Sequence, residues 1–137
     1  MTAPQRRVLE TVTGPDLLDK IHRALDRCWA QHRDVPASIR MTVATGVAEI
    51  AANIVQYAGG RRPVPIRMDI EVTQHQVKVV FTDDGEPAAV DLEAVSTPDA
   101  LAKRGRGLAL ATAVLDELSY LRRENHNQWT LISRTFG

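Results

Sequence analysis

Pro65-Ile66-Arg67-Met68-Asp69-Ile70-Glu71-Val72, then Thr73-Gln74-His75-Gln76, then Val77-Lys78-Val79-Val80-Phe81 reads as two strands joined by a polar link. Ile66, Met68, Ile70 and Val72 alternate with Arg67, Asp69 and Glu71, which is the period of a strand with one face buried. The link between the two runs is short enough for a hairpin. What surrounds this hairpin decides the class of fold.

Upstream, Arg7-Val8-Leu9-Glu10-Thr11-Val12 is rich in β-branched residues and stops at Gly14-Pro15, so it reads as a strand. Asp16 stands at an N-cap position. Leu17, Leu18, Ile21, Leu25, Cys28 and Trp29 then recur at helical spacing, which predicts an amphipathic helix of roughly 17 residues ending before Asp34-Val35-Pro36. Pro36-Ala37 or Ser38 opens a second helix that runs to about Ala58 and is closed by Gly59-Gly60. Its apolar face is Ile39, Val43, Val47, Ile50, Ile54 and Ala58, and a second stripe carries Gly46, Glu49, Asn53 and Gln56.

Downstream, Asp83 to Lys103 has the composition of a loop, and an irregular segment of ~20 residues in so small a domain points to a functional loop or lid. A third helix is predicted from Gly107, with Leu108, Ala111, Val114, Leu115 and Leu118 on one face. The runs Leu118 to Arg123 and Trp129 to Arg134 read as a closing hairpin around Asn125-His126-Asn127. The order β-α-α-β-β-loop-α-β-β predicts an α+β two-layer sandwich: one antiparallel or mixed sheet covered on one face by helices. With 137 residues and 44% apolar content, the chain reads as a single domain, residues 1–137.

The composition excludes several functions. Seventeen basic residues balance seventeen acidic ones, so the chain lacks the surplus that general binding to nucleic acid or anionic membrane requires. Cys28 is the single cysteine, which excludes an intramolecular disulfide framework and suits a reducing cytoplasm. It lies on the apolar stripe of its helix and reads as a core residue. His22, His32, His75 and His126 are scattered, with no Cys/His pair at metal-ligand spacing. No apolar run reaches the ~18 residues of a membrane helix, and no signal core follows the N-terminus. The expected location is the cytoplasm.

Three constellations carry chemistry, and each has an ordinary structural alternative. Glu49 and Asn53 project from one helical face a turn apart; a carboxylate can take a proton from an attacking hydroxyl, and an amide oxygen is a hard, neutral ligand for Mg²⁺. The alternative is a solvated polar stripe. Asp83-Asp84-Gly85 follows an apolar strand, where Asp83 could accept a hydrogen bond from an adenine amine while Gly85 lets a ring approach the backbone; the alternative is a plain turn. Gly105-Arg106-Gly107-Leu108, preceded by Lys103-Arg104, stands at a loop-to-helix junction suited to an anion, or to a hinge with solvated charges.

Taken together and in this order, the motifs resemble the GHKL ATPase/kinase superfamily, and within it the small bacterial anti-sigma-factor serine kinases. The stretches that carry the likeness are Glu49-Ile-Ala-Ala-Asn53-Ile-Val-Gln-Tyr-Ala58, Val79-Val-Phe-Thr-Asp83-Asp-Gly85, and Gly105-Arg-Gly107 through Tyr120. The tail from Arg122 to Leu131 also looks like that branch. The resemblance implies the sandwich often called the Bergerat fold, with ATP and Mg²⁺ as cofactors. It implies Asn53 as the Mg²⁺ ligand and Glu49 as the general base. It implies Asp83 on the adenine amine, Gly85 lining the adenine pocket, Gly105 and Gly107 over the phosphates, and Arg104 and Arg106 as phosphate contacts. The chain departs from the family where a His-Ala pair often closes the Asn helix, having Tyr57-Ala58. It departs again where the last strand often carries Gly-Thr, having Asn127-Gln128.

The function implied is an ATP-dependent serine/threonine protein kinase that phosphorylates an anti-sigma-factor antagonist protein and sequesters a sigma factor. Neither nucleic acid nor membrane is an expected partner; such proteins commonly work as dimers, so the resemblance leaves a homodimer open, although no residue marks an interface. The other reading is a non-catalytic nucleotide-binding regulator that only holds a protein partner. A third is an ATPase domain belonging to a larger signalling protein. Nothing resembles the phosphoacceptor-histidine helices of sensor kinases.

Overall fold

Alternation along the central hairpin sets the geometry of everything else. In the computed structural model, which describes residues 6–57, 62–87 and 111–137, β1 spans Arg6–Val12, β2 Pro65–Val72 and β3 Val77–Asp83. Ile66, Met68, Ile70 and Val72 of β2 are buried, as are Val77, Val79, Phe81 and Asp83 of β3. These residues form one face of the sheet, and Arg67, Asp69, Glu71, Lys78 and Thr82 hold the other. β4 is Leu115–Arg123 and β5 is His126–Ser133.

The strand order is β1-β2-β3-β5-β4, and every pairing is antiparallel. The sheet expected as antiparallel or mixed is therefore wholly antiparallel. After β3 the chain passes over one strand position, forms β4 at the sheet edge and returns as β5 in the gap. That return is what sets the end of β3 beside the start of β5, with Asp83 opposite Asn127.

Helices α1 (Leu17–Gln31) and α2 (Ala37–Tyr57) cover the apolar face. α1 buries Leu17, Ile21, Ala24, Leu25, Cys28 and Trp29, the stripe expected from the sequence apart from Leu18, which is exposed. Asp16 is its N-cap by position, but its side chain makes no cap bond and instead pairs with Lys20 at 3.3 Å. Val43, Val47, Ile50 and Ile54 of α2 meet Phe81, Trp129 and Leu131 in a single core. Gly46 does not belong with the polar stripe. A Cβ there would stand 2.5 Å from Leu131 Cδ1 and 3.0 Å from Leu115 Cδ1, so its missing side chain lets α2 settle on β5.

Two expectations at the C-terminal end need correction. The third helix is present in the described residues only over 111–114, and β4 begins at Leu115. Leu115 and Leu118 mimic helical spacing because the β4–β5 register shifts between Leu115 and Glu117, so inward residues fall three apart. The same effect operates in β1, where a shift between Arg7 and Leu9 lets both Val8 and Leu9 pack on the core. The closing turn is Glu124-Asn125, with Glu124 at φ 50°, and not Asn125-His126-Asn127. His126 and Asn127 are strand residues, paired with Arg123 and Arg122.

Candidate functional site

Asp83 ends β3 on the helix-covered face, where burial of a carboxylate must be offset by hydrogen bonds. It is 1% exposed. Its Oδ1 accepts from the Gly85 N–H at 2.9 Å and from the Asn127 side-chain amide at 2.8 Å. Its Oδ2 is buried with no partner. Burial pushes the carboxyl's pKa above its ordinary value; the bonds from Asn127 and Gly85 and the neighbouring Trp129 indole oppose the rise, and the charge of Asp84 adds to it. The Trp129 Nε1–H is itself buried without a completed hydrogen bond. A buried acceptor without a completed hydrogen bond at the end of a core strand is a feature expected of a residue that receives a ligand's N–H donor.

The Asp-Asp-Gly turn is tied down on both sides. Asp84 N–H donates to the Pro65 carbonyl at 3.3 Å, and Asp84 Oδ1 lies 2.7 Å from His126 Nδ1. Arg122 donates to the Gly85 carbonyl at 2.7 Å and to Asn127 Oδ1 at 3.1 Å, and the Tyr120 hydroxyl also bonds Asn127 Oδ1. Asn127 Nδ2 reaches the Glu86 carbonyl at 2.7 Å. Sequence alone does not single out Asn127, Arg122 or Tyr120 as site residues: Asn127-Gln128 stands out only as a departure from a family pattern, and Arg122 only as part of a likeness.

Glu49 and Asn53 sit one turn apart on α2, both half-buried. Asn53 Nδ2 donates to the Glu49 carbonyl at 2.8 Å, which fixes the amide and leaves its oxygen without a partner among the described residues. The Glu49 carboxylate likewise has no hydrogen-bond or ion-pair partner among the described residues. Because α2 packs on the face that carries Asp83, all three side chains belong to the same side of the sheet. Gly85 joins Asp83 directly. Arg104, Gly105, Arg106 and Gly107 lie outside the described residues, as do Ala58 and Gly59-Gly60.

The donor set fits a magnesium nucleotide. Among the described residues no group of three or more His, Cys, Asp or Glu could hold a metal ion. One neutral amide oxygen suits Mg²⁺, which keeps several waters and takes most of its other ligands from phosphates. Asp83 Oδ2 suits an exocyclic amine. Clefts of about 470 and 480 Å³ open elsewhere, one between Trp29, Arg33 and Arg40 and one between the end of α1 and the β2–β3 turn. Neither includes a site residue.

The fold is a two-layer α+β sandwich, with a buried carboxylate at a strand end and a half-buried amide on a helix that covers the same face. The chain belongs to the histidine kinase-like ATPase domain family, which matches it over residues 13–133. Among solved structures it is similar to the histidine kinase domain of the blue-light activated histidine kinase EL346 from Erythrobacter litoralis, at 18% identity and a TM-score of 0.55. That likeness covers 86% of this chain and 60% of the other, so this chain spans less than two thirds of that chain's length, and the likeness establishes the shared fold. No curated protein matches the chain in sequence. No helix among the described residues is long and apolar enough to cross a membrane.

Proposed function

We propose that the chain binds Mg·ATP and is a serine/threonine protein kinase of the anti-sigma-factor type, which phosphorylates an antagonist protein and sequesters a sigma factor. The observation that supports the nucleotide part is the buried Oδ2 of Asp83, which makes no completed hydrogen bond and in this reading accepts the adenine amine. Family membership supports ATP as the nucleotide. The kinase part rests on Glu49 standing one turn from Asn53, with its carboxylate unengaged among the described residues.

Phosphoryl transfer needs an aligned hydroxyl, a divalent cation and little covalent help from the protein. In this reading Asn53 supplies its oxygen to Mg²⁺, which when bound neutralises charge on the phosphates. Glu49 orients a serine or threonine hydroxyl of the antagonist and takes its proton. The γ-phosphoryl group moves to that oxygen, and ADP is the leaving group. Gly105 and Gly107, with Arg104 and Arg106, are the phosphate contacts in this reading.

The test is incubation of the chain with γ-labelled ATP, Mg²⁺ and a lysate of its source organism. Label on serine or threonine of one partner, absent with Glu49→Ala, is the expected result. Mg²⁺-dependent ATP binding without any labelled protein would favour the non-catalytic regulator instead.

A further inference from the structure

Asn127 is the most heavily engaged polar side chain in the described residues around Asp83. Its two N–H bonds go to Asp83 Oδ1 and the Glu86 carbonyl, and its oxygen accepts from Tyr120 and Arg122. A guanidinium can only donate, so Arg122 obliges the amide to turn its oxygen toward β4 and its N–H groups toward Asp83. Arg122 also holds the Gly85 carbonyl, and Gly85 N–H is the second donor to Asp83 Oδ1. One carboxylate oxygen is thus filled twice, and the other makes no completed hydrogen bond, with the Trp129 indole N–H as its neighbouring donor.

We propose that Asn127, oriented by Arg122, is a positioning residue that sets base selectivity: it fixes Asp83 so that its open oxygen accepts a purine amine and repels a purine oxo group. This inference rests on the nucleotide reading above. Without Asn127, Asp83 keeps the Gly85 N–H and the neighbouring Trp129 indole but loses the strongest of its hydrogen-bond donors, and its carboxylate is held less firmly. With Arg122 removed the amide can turn over, and its oxygen then faces Asp83, a pairing satisfied only when the carboxyl carries a proton. A protonated Asp83 can donate to an oxo group, so discrimination against guanine falls in both cases. Asn127 is also the largest of the hydrogen-bond influences that lower the Asp83 pKa, and Asp84 is the titratable neighbour among the described residues that raises it. Loss of Asn127 therefore moves the acid limb of ATP binding to higher pH.

The test titrates the full chain with Mg·ATP and Mg·GTP across pH, for the parent, Asn127→Ala, Arg122→Met and Asn127→Thr, with circular dichroism checking the fold. The parent is expected to prefer ATP. Asn127→Ala and Arg122→Met should each reduce the ATP:GTP ratio by about tenfold, the scale of one charge-assisted hydrogen bond. Asn127→Ala should also shift the acid limb upward. Asn127→Thr keeps a donor and should retain most of the preference. Equal losses for ATP and GTP with an unmoved pH profile would make Asn127 merely structural and overturn the proposal. A parent that binds neither nucleotide would instead overturn the reading on which it rests.

Discussion

Asp83 and Asn127 are 44 residues apart in the chain and face each other across β3 and β5, joined by a 2.8 Å hydrogen bond. The contact exists because β5 inserts between β3 and β4, which returns the chain to the Asp-Asp-Gly turn after the segment 88–110 has intervened. One polar pair thus joins the closing hairpin to the turn that ends the first hairpin.

Asp83 opposes folding of the ligand-free chain at neutral pH. Its folded pKa lies above the ordinary 3.8 because burial disfavours the charge. A raised carboxyl pKa means the folded state holds its proton longer than the unfolded state, so stability falls as pH climbs from the ordinary value through the raised one. Asp83→Asn keeps an oxygen for Gly85 and Asn127 and removes the charge. The variant's stability relative to the parent should therefore increase with pH through that window and level off above it. Urea midpoints at about pH 5 and about pH 8 check this; a parent that gains on the variant as pH rises would contradict it.

Gly46→Ala should destabilise the chain by about 1–3 kcal/mol, the usual cost of inserting a methyl group into a filled core. Leu131, which the new Cβ would strike, is wholly buried and cannot swing out. Pairing the change with Leu131→Val frees part of the space, so the double variant should lose less than the two single losses added together. Chemical denaturation of the four proteins gives the coupling.

Cys28 is buried in α1 and its thiol pKa is pushed up by desolvation. The thiolate is the reactive form, so the native chain should be alkylated far more slowly than the same chain in denaturant. Comparison of iodoacetamide labelling rates in the two states by mass spectrometry is sufficient. Equal rates would place the thiol at the surface.

Asn53 and Glu49 should separate binding from transfer. Asn53→Ala removes the proposed Mg²⁺ oxygen and should weaken Mg·ATP much more than metal-free ATP. Glu49→Ala should leave affinity within about threefold and reduce transfer to the partner by about 10²–10⁴, the range of a general base. Calorimetry and a phosphate-transfer assay read the two effects independently. Unchanged transfer in Glu49→Ala would assign the base elsewhere.

Much of this was legible in the residues themselves. The alternation from Ile66 to Val72, the stripe from Leu17 to Trp29 and the Glu49/Asn53 spacing report burial directly, and each element lies where its pattern places it. The bulge near Leu115 was not legible, since a register shift converts a period of two into an interval that imitates a helix. Asn127 was hidden for a different reason. Its Asn-His-Asn context has the composition of a turn, and only pairing with distant Asp83 makes it a buried strand residue. Local pattern carries no information about a partner 44 positions away.

The central claim is that the open oxygen of Asp83 receives the adenine of ATP, and calorimetric titration of Mg·ATP into the parent and Asp83→Asn tests it most directly. In the variant an N–H group can face the adenine amine in place of an acceptor, so the account predicts clear binding by the parent and a loss of about a hundredfold or more in a folded variant. Equal affinities in the two proteins, or no binding by the parent, would contradict it.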